Sequence, residues 1–173
     1  KIPSSQTAFL RYLFGTIFLL PIIVNSFRDI QIKLMNKFVL RSFFHAIGVS
    51  LWFYSMTVIT IAEVTAIGYL TPIFVCIGAI ILFKENIKGF RAFAITLSFI
   101  GAMIILRPGF QEIKLGQYSM LLAAFVFSFS YLMVKYLAET KSSLEIVGYL
   151  SLFTTIFLTP LALINWVELN TYQ

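Results

Sequence analysis

Apolar residues in this chain come in long stretches with almost no charge inside them, and the polar residues gather between the stretches. A helix needs about 20 mostly apolar residues to cross a bilayer. Six stretches are read as spans: Thr7–Asn25, interrupted by Arg11; Ser42–Ala62, which contains His45; Val64–Phe83; Phe90–Leu106, the shortest; Leu115–Val134; and Ile146–Val167. The predicted fold class is all-α, a polytopic membrane helix bundle. Neither Gly nor Pro separates the second span from the third. As one helix, Ser42–Phe83 would measure about 63 Å at 1.5 Å per residue, against a hydrocarbon core of about 30 Å. A turn is therefore expected near Glu63, the charge at that place. The segments FKENIKGFR (Phe83–Arg91) and RPGFQEIK (Arg107–Lys114) mix charge with Gly or Pro and read as short loops.

Composition strengthens this reading. The chain is 60% hydrophobic and 12% charged, about half the charge of a typical soluble domain. Its net charge of +6 is not the footprint of a nucleic-acid partner, because the basic residues sort by side of the membrane. Arg28, Lys33, Lys37, Arg41, Lys84, Lys88, Arg91, Lys135 and Lys141 fall on one side, nine of the thirteen; Lys1, Arg11, Arg107 and Lys114 fall on the other. The nine-residue side is expected to be cytoplasmic. Cys76 is the single cysteine and lies in an apolar run, so it reads as a small core residue with no disulfide framework around it. With no initiator Met and no signal peptide, the chain reads as a fragment cut at both ends.

One phrase occurs twice. LFGTIFLLP (Leu13–Pro21) and LFTTIFLTP (Leu152–Pro160) agree at seven of nine positions. The first copy lies in span one and the second in span six. Five steps separate them, an odd number, so the copies enter the membrane in opposite directions. Inverted repeats of this kind build many secondary transporters. Together with Arg11, the stretches AIGYLTPIFVCIGAIILFKENI (Ala66–Ile87) and SFIGAMIILRPG (Ser98–Gly109) resemble the drug/metabolite transporter superfamily, and within it an EamA-domain permease. The resemblance implies inverted five-helix repeats, ten helices in all. Residues 1–110 would then be a first half lacking its first helix, and residues 111–173 the first two helices of a second half. It also implies a multi-pass protein of the inner membrane.

No catalytic constellation, metal-ligand cluster or phosphate-binding glycine loop is visible, so neither enzyme activity nor a cofactor is expected. Polar residues inside spans usually face the bundle interior, and these supply the candidates for a solute cavity. On span two, His45, Gly48, Trp52 and Ser55 share one helical face. Trp52, at mid-span, either stacks on a planar or cationic solute or packs against a neighbouring helix, and His45 is either a site residue or a hydrogen-bonded histidine near the cytoplasmic end. On span three, Thr65, Gly68, Tyr69, Pro72 and Cys76 form a second face, and Pro72 is expected to kink the helix, beside a site or for structure alone. On span five, Ala124, Ser128, Tyr131 and Lys135 share a face, with Lys135 snorkelling. Arg11 either snorkels outward, lines the cavity or pairs with Glu63. Trp166 reads as an interfacial anchor.

The expected function is secondary transport of a small polar organic metabolite by alternating access. Members of the family it resembles move amino acids, other metabolites and S-adenosylmethionine. The expected partners are that solute and the lipid bilayer, with no nucleic acid; a homodimer is left open. The rival reading is a membrane scaffold or assembly subunit that transports nothing.

Overall fold

A computed structural model describes residues 3–27, 30–84, 89–106, 114–164 and 166–168. The described residues form helices and connections, with no strand. The helices are α1 (Ser4–Phe27), α2 (Ile32–Val58), α3 (Ile61–Gly68), α4 (Thr71–Phe83), α5 (Gly89–Leu106), α6 (Leu115–Ala138) and α7 (Ser143–Ile164). Four segments are long and apolar enough to cross a membrane: α1, the α3–α4 run Ile61–Phe83, α6 and α7. Within α5, Ala92–Ile104 is a shorter apolar helix. The 27-residue α2 has ample length but carries Lys33, Lys37, Arg41 and His45. Most of the two loops expected at Phe83–Arg91 and Arg107–Lys114 lies outside the described residues.

Three boundaries differ from expectation, each for a local reason. Helix α2 starts at Ile32 rather than Ser42, because its basic first turns extend the helix beyond the apolar run. His45 therefore sits at the helix midpoint rather than near one end. The turn expected near Glu63 occurs earlier, at Ile59–Thr60. A capping box makes it: the Thr60 hydroxyl accepts from the Glu63 amide at 3.3 Å, and the Glu63 carboxylate accepts from the Thr60 amide at 3.0 Å. The Thr-x-x-Glu pattern that signals such a start is present in the sequence, hidden in an apolar run. The second carboxylate oxygen of Glu63 accepts from Gln117 at 2.8 Å, which ties this corner to α6. Replacing Thr60 by alanine is expected to cost about 0.5–2 kcal/mol, read as a lower melting temperature of the purified protein, with Thr60→Ser keeping most of the wild-type value.

The third difference concerns Pro72. It does not kink a continuous helix. The chain breaks at Tyr69–Leu70, and Pro72 stands in the first turn of α4, where a missing amide costs nothing. The Leu70 carbonyl accepts from Ile73 and Phe74, at 3.0 and 3.1 Å, and so starts the new helix.

Helices α1 and α7 pack antiparallel along their whole length. At one end the Gln6 side chain donates to the Val167 carbonyl at 2.9 Å and accepts from the Val167 amide at 3.1 Å. At the other end Ser26 donates to Glu145, which also pairs with Lys141 at 2.9 Å. Midway, Thr16 and Thr155 meet hydroxyl to hydroxyl at 3.2 Å. These two threonines are the fourth residues of the two copies of the repeated phrase. Each also reaches back to the carbonyl four residues earlier, Thr16 to Tyr12 at 2.9 Å and Thr155 to Ser151 at 2.7 Å. Equivalent positions of the two copies thus touch each other across the antiparallel pair and make equivalent bonds.

Helix α6 packs against α2, α3 and α4, most extensively against α2. Small residues allow the approach. A Cβ at Gly48 would lie 2.7 Å from the Phe127 ring, and one at Gly116 would lie 2.8 Å from Ile59. One apolar core joins Val49, Val64, Ile67, Met120, Ala123 and Phe127. A second, beside the α1–α7 pair, joins Leu19, Ile23, Phe38, Leu137 and Tyr149.

Candidate functional site

Two places bring the candidate residues together, a largely apolar cavity and a buried polar group. The first is a cavity of about 810 Å³ between α4, α5 and α6. The break at Tyr69–Leu70 places Gly68 and Tyr69 in its wall. Helix α4 adds Pro72, Cys76 and Phe83; α5 adds Ile95 and Ser98; α6 adds Tyr131, Leu132 and Lys135. The Lys135 ammonium stands 4.1 Å from the Phe83 ring centroid, at the end of the cavity on the Lys-rich side. Aromatic faces, a few hydroxyls and one cation suit a solute with a flat ring and a polar tail.

The second constellation centres on His45. Its Nε2 contacts the Tyr12 hydroxyl of α1 at 2.8 Å, and its Nδ1 contacts the Ser130 hydroxyl of α6 at 3.3 Å. The ring packs on Phe127 and Tyr131, with centroids 5.0 and 6.4 Å away. One turn earlier on α2, the Arg41 side chain is buried and donates to the Ile146 carbonyl of α7 at 3.0 Å, while its Nε has no hydrogen-bond partner among the described residues. At the outer end of the group, the Arg11 guanidinium lies 5.6 Å from the Trp52 ring and 5.8 Å from the Tyr12 ring.

The sequence candidates are distributed between these places. Tyr69, Pro72 and Tyr131 line the 810 Å³ cavity. Arg11, Trp52 and His45 belong to the second group. Ser55, Thr65 and Ser128 spend their hydroxyls on their own helices, donating to Leu51 at 2.8 Å, Ile61 at 2.8 Å and Phe125 at 2.6 Å. Such back-bonding satisfies a hydroxyl where water is scarce. Trp166 packs edge-on against Phe9 at 6.2 Å. Tyr12, Arg41 and Ser130 escaped the sequence reading. Tyr12 sits in the spacing His45 would need only once α1 is laid beside α2, and no pattern along one helix reveals that.

A family model described as the EamA-like transporter family matches residues 1–107. The chain belongs to the EamA-like transporter family. Among curated relatives, the S-adenosylmethionine uptake transporter of Rickettsia prowazekii (strain Madrid E) is 26% identical over 175 residues, covering 100% of this chain and 59% of the relative. The riboflavin transporter of Vibrio cholerae is 30% identical over 168 residues, covering 95% of this chain and 56% of its own length. That of Brucella anthropi is 28% identical, with 96% and 57% covered. The chain thus spans less than three-fifths of the length of each of these three relatives. No solved structure matches it. This EamA-family chain is a multi-pass membrane segment, and its relatives are named for transport rather than catalysis.

Proposed function

We propose that the protein carries a small organic metabolite with a planar ring and a polar tail across the inner membrane, with its Lys-rich side in the cytoplasm, by alternating access. The observation that supports this best is the cavity between α4, α5 and α6. It lies within the spans, its volume falls inside the range of about 300–1,000 Å³ usual for ligand sites, and Tyr69 and Tyr131 border it. The names of the relatives point the same way: S-adenosylmethionine and riboflavin each combine a flat heteroaromatic ring with a polar chain.

The test is saturable uptake by the full-length protein in liposomes, with radiolabelled riboflavin, S-adenosylmethionine and a panel of amino acids. Aromatic pairing is worth about 0.5–1.5 kcal/mol beyond buried area, and about 1.36 kcal/mol is tenfold at 25 °C. Tyr131→Ala is therefore expected to raise the apparent transport constant about two- to tenfold, and Tyr131→Phe to recover most of the loss. In the same assay Trp52→Leu asks whether the Arg11-capped indole lies on the solute path; unchanged kinetics would remove it. Absence of uptake for every solute, from protein that is folded and inserted, would favour the scaffold reading.

A further inference from the structure

We propose that His45 is the proton-binding site of a proton-coupled transport cycle, an inference that rests on the transport reading above. His45 stands at the middle of α2, halfway through the 27-residue helix, and is 7% exposed. An ionisable side chain buried inside an apolar bundle is expensive and calls for a reason. Both ring nitrogens are engaged, and they are engaged by different halves of the repeat. Tyr12 belongs to α1 of the first half, Ser130 to α6 of the second. His45 is therefore a fastener between the parts that alternating access must move against each other.

The charges around it decide which protonation state this arrangement holds. Arg41, 4% exposed, lies one turn away on the same face of α2. Arg11 lies beyond Tyr12 on α1. Helix α6 offers Tyr131, and α7 turns Tyr149 to Phe38 instead. Glu63 of α3 is held at the far corner by Thr60 and Gln117. Among the described residues no carboxylate contacts the imidazole, whereas Arg41, one turn away, and Arg11, against the Tyr12 ring, bring two guanidiniums into the same group. A second cation in that low-dielectric interior is repelled, so this packed arrangement holds His45 neutral. One nitrogen then donates and the other accepts, which Tyr12 and Ser130 can each complement. When α6 moves off α2, the Ser130 contact opens and water reaches the ring. The imidazolium is then stable, and a proton enters on the nitrogen that had been the acceptor. The two arrangements thus differ in proton affinity. A ligand with different affinities for two states couples to whatever else distinguishes them, here the side from which the solute is reached.

The two partners of His45 each have a neighbour towards one end of the bundle. Ser130 adjoins Tyr131, which lines the cavity that ends at Lys135. Tyr12 adjoins Arg11, which is exposed at the opposite side. The proton would arrive by one of these ends and leave by the other.

Two measurements on the full-length protein in liposomes test this. With riboflavin and S-adenosylmethionine as probes, a pH gradient should drive accumulation, up to about tenfold per pH unit for one proton, and the reversed gradient should drive depletion. In His45→Gln, gradient-driven accumulation, taken relative to that variant's own solute exchange at equal pH, should fall to about onefold. The second measurement needs no solute. Alkylation of Cys76, which lines the cavity, should follow a pH-dependent change of state between about pH 5 and 8, where an imidazole titrates. The ratio of wild-type to His45→Gln rates, taken at each pH, removes the thiol's own titration and should vary severalfold. A flat ratio, or gradient-driven accumulation that survives in His45→Gln, overturns the proposal. Uptake that ignores the gradient in wild type overturns it too, and leaves the transport reading standing. A varying ratio with no probe transported supports the proton site and counts against those two solutes. If His45→Gln does not fold, Tyr12→Phe takes its place: it removes one hydroxyl, and the midpoint of the Cys76 profile must move.

Discussion

Replacing Gly48 by alanine is expected to destabilise the protein by about 1–3 kcal/mol, the usual cost of forcing one extra carbon into a filled core. The added Cβ would lie 2.7, 2.8 and 3.1 Å from three atoms of the Phe127 ring. A flexible side-chain tip could swing aside, but this ring cannot do so freely. It is 9% exposed, packs at 5.0 Å on His45 and stacks at 6.2 Å on Tyr131. Relief must come from moving α6 away from α2, against which it packs extensively. Isoleucine at the same position should cost more than alanine. The effect is read from the melting temperature of the purified full-length protein, and from a double-mutant cycle with Phe127→Leu. Because the two side chains would collide directly, the pair should show a favourable coupling of about 0.5–3 kcal/mol. Gly101→Ala is the control, since nothing lies within 4 Å of its added Cβ; there the better helix propensity of alanine, worth up to about 1 kcal/mol, should leave stability unchanged or slightly raised. Wild-type stability in Gly48→Ala would mean that α2 and α6 are not in this contact.

Gly48 also shows how far the sequence can be read. The face formed by His45, Gly48, Trp52 and Ser55 is distinct: His45, Gly48 and Ser55 are buried and Trp52 is half-buried. Periodicity tells which residues share a face, and that survives. What the face meets is a tertiary fact, and here Gly48 meets Phe127 while His45 meets Tyr12 and Ser130. The spans were legible because a bilayer imposes a minimum apolar length that few soluble sequences reach. Their ends were less so. Helix α2 extends ten residues beyond its apolar run, since a basic helix outside the hydrocarbon leaves no hydropathy signal. The break before Pro72 read as a kink because a proline inside an apolar run marks a lost amide and not what the chain does about it. The cavity needed α4, α5 and α6 side by side, and Arg41 needed the Ile146 carbonyl of α7 to reveal where its guanidinium is stored. Neither is written along any one helix. The repeated phrase was the exception, a long-range statement made in local text.

Cysteines at Thr16 and Thr155, in a Cys76→Ala background, are expected to join in an intrachain disulfide under mild oxidation. The two hydroxyl oxygens are 3.2 Å apart, and a disulfide asks the sulfurs to close to about 2.05 Å, a shift that small rotations of both side chains supply. Fragments cut between α5 and α6 should remain linked until reduced. The same experiment reads direction. Ser26→Cys with Glu145→Cys should also link through a short, reducible bifunctional thiol reagent that makes up the length of the lost glutamate, because Ser26 donates to Glu145 at the far end of the pair. Ser26→Cys with Val167→Cys should not, because Val167 lies at the other end, against Gln6. A parallel α1–α7 pair would reverse that pattern, bringing Ser26 towards the end of α7 and leaving Glu145 remote. Transport adds a second reading. If the two halves rock about an axis between Thr16 and Thr155, atoms beside the axis move least. The central link should therefore leave solute uptake near the wild-type rate, whereas the end link at Ser26 and Glu145 should slow it severalfold or stop it, with recovery on reduction. Efficient linkage of Ser26→Cys to Val167→Cys beside an unlinked central pair would remove the inverted repeat, and with it the reason that one phrase is written twice.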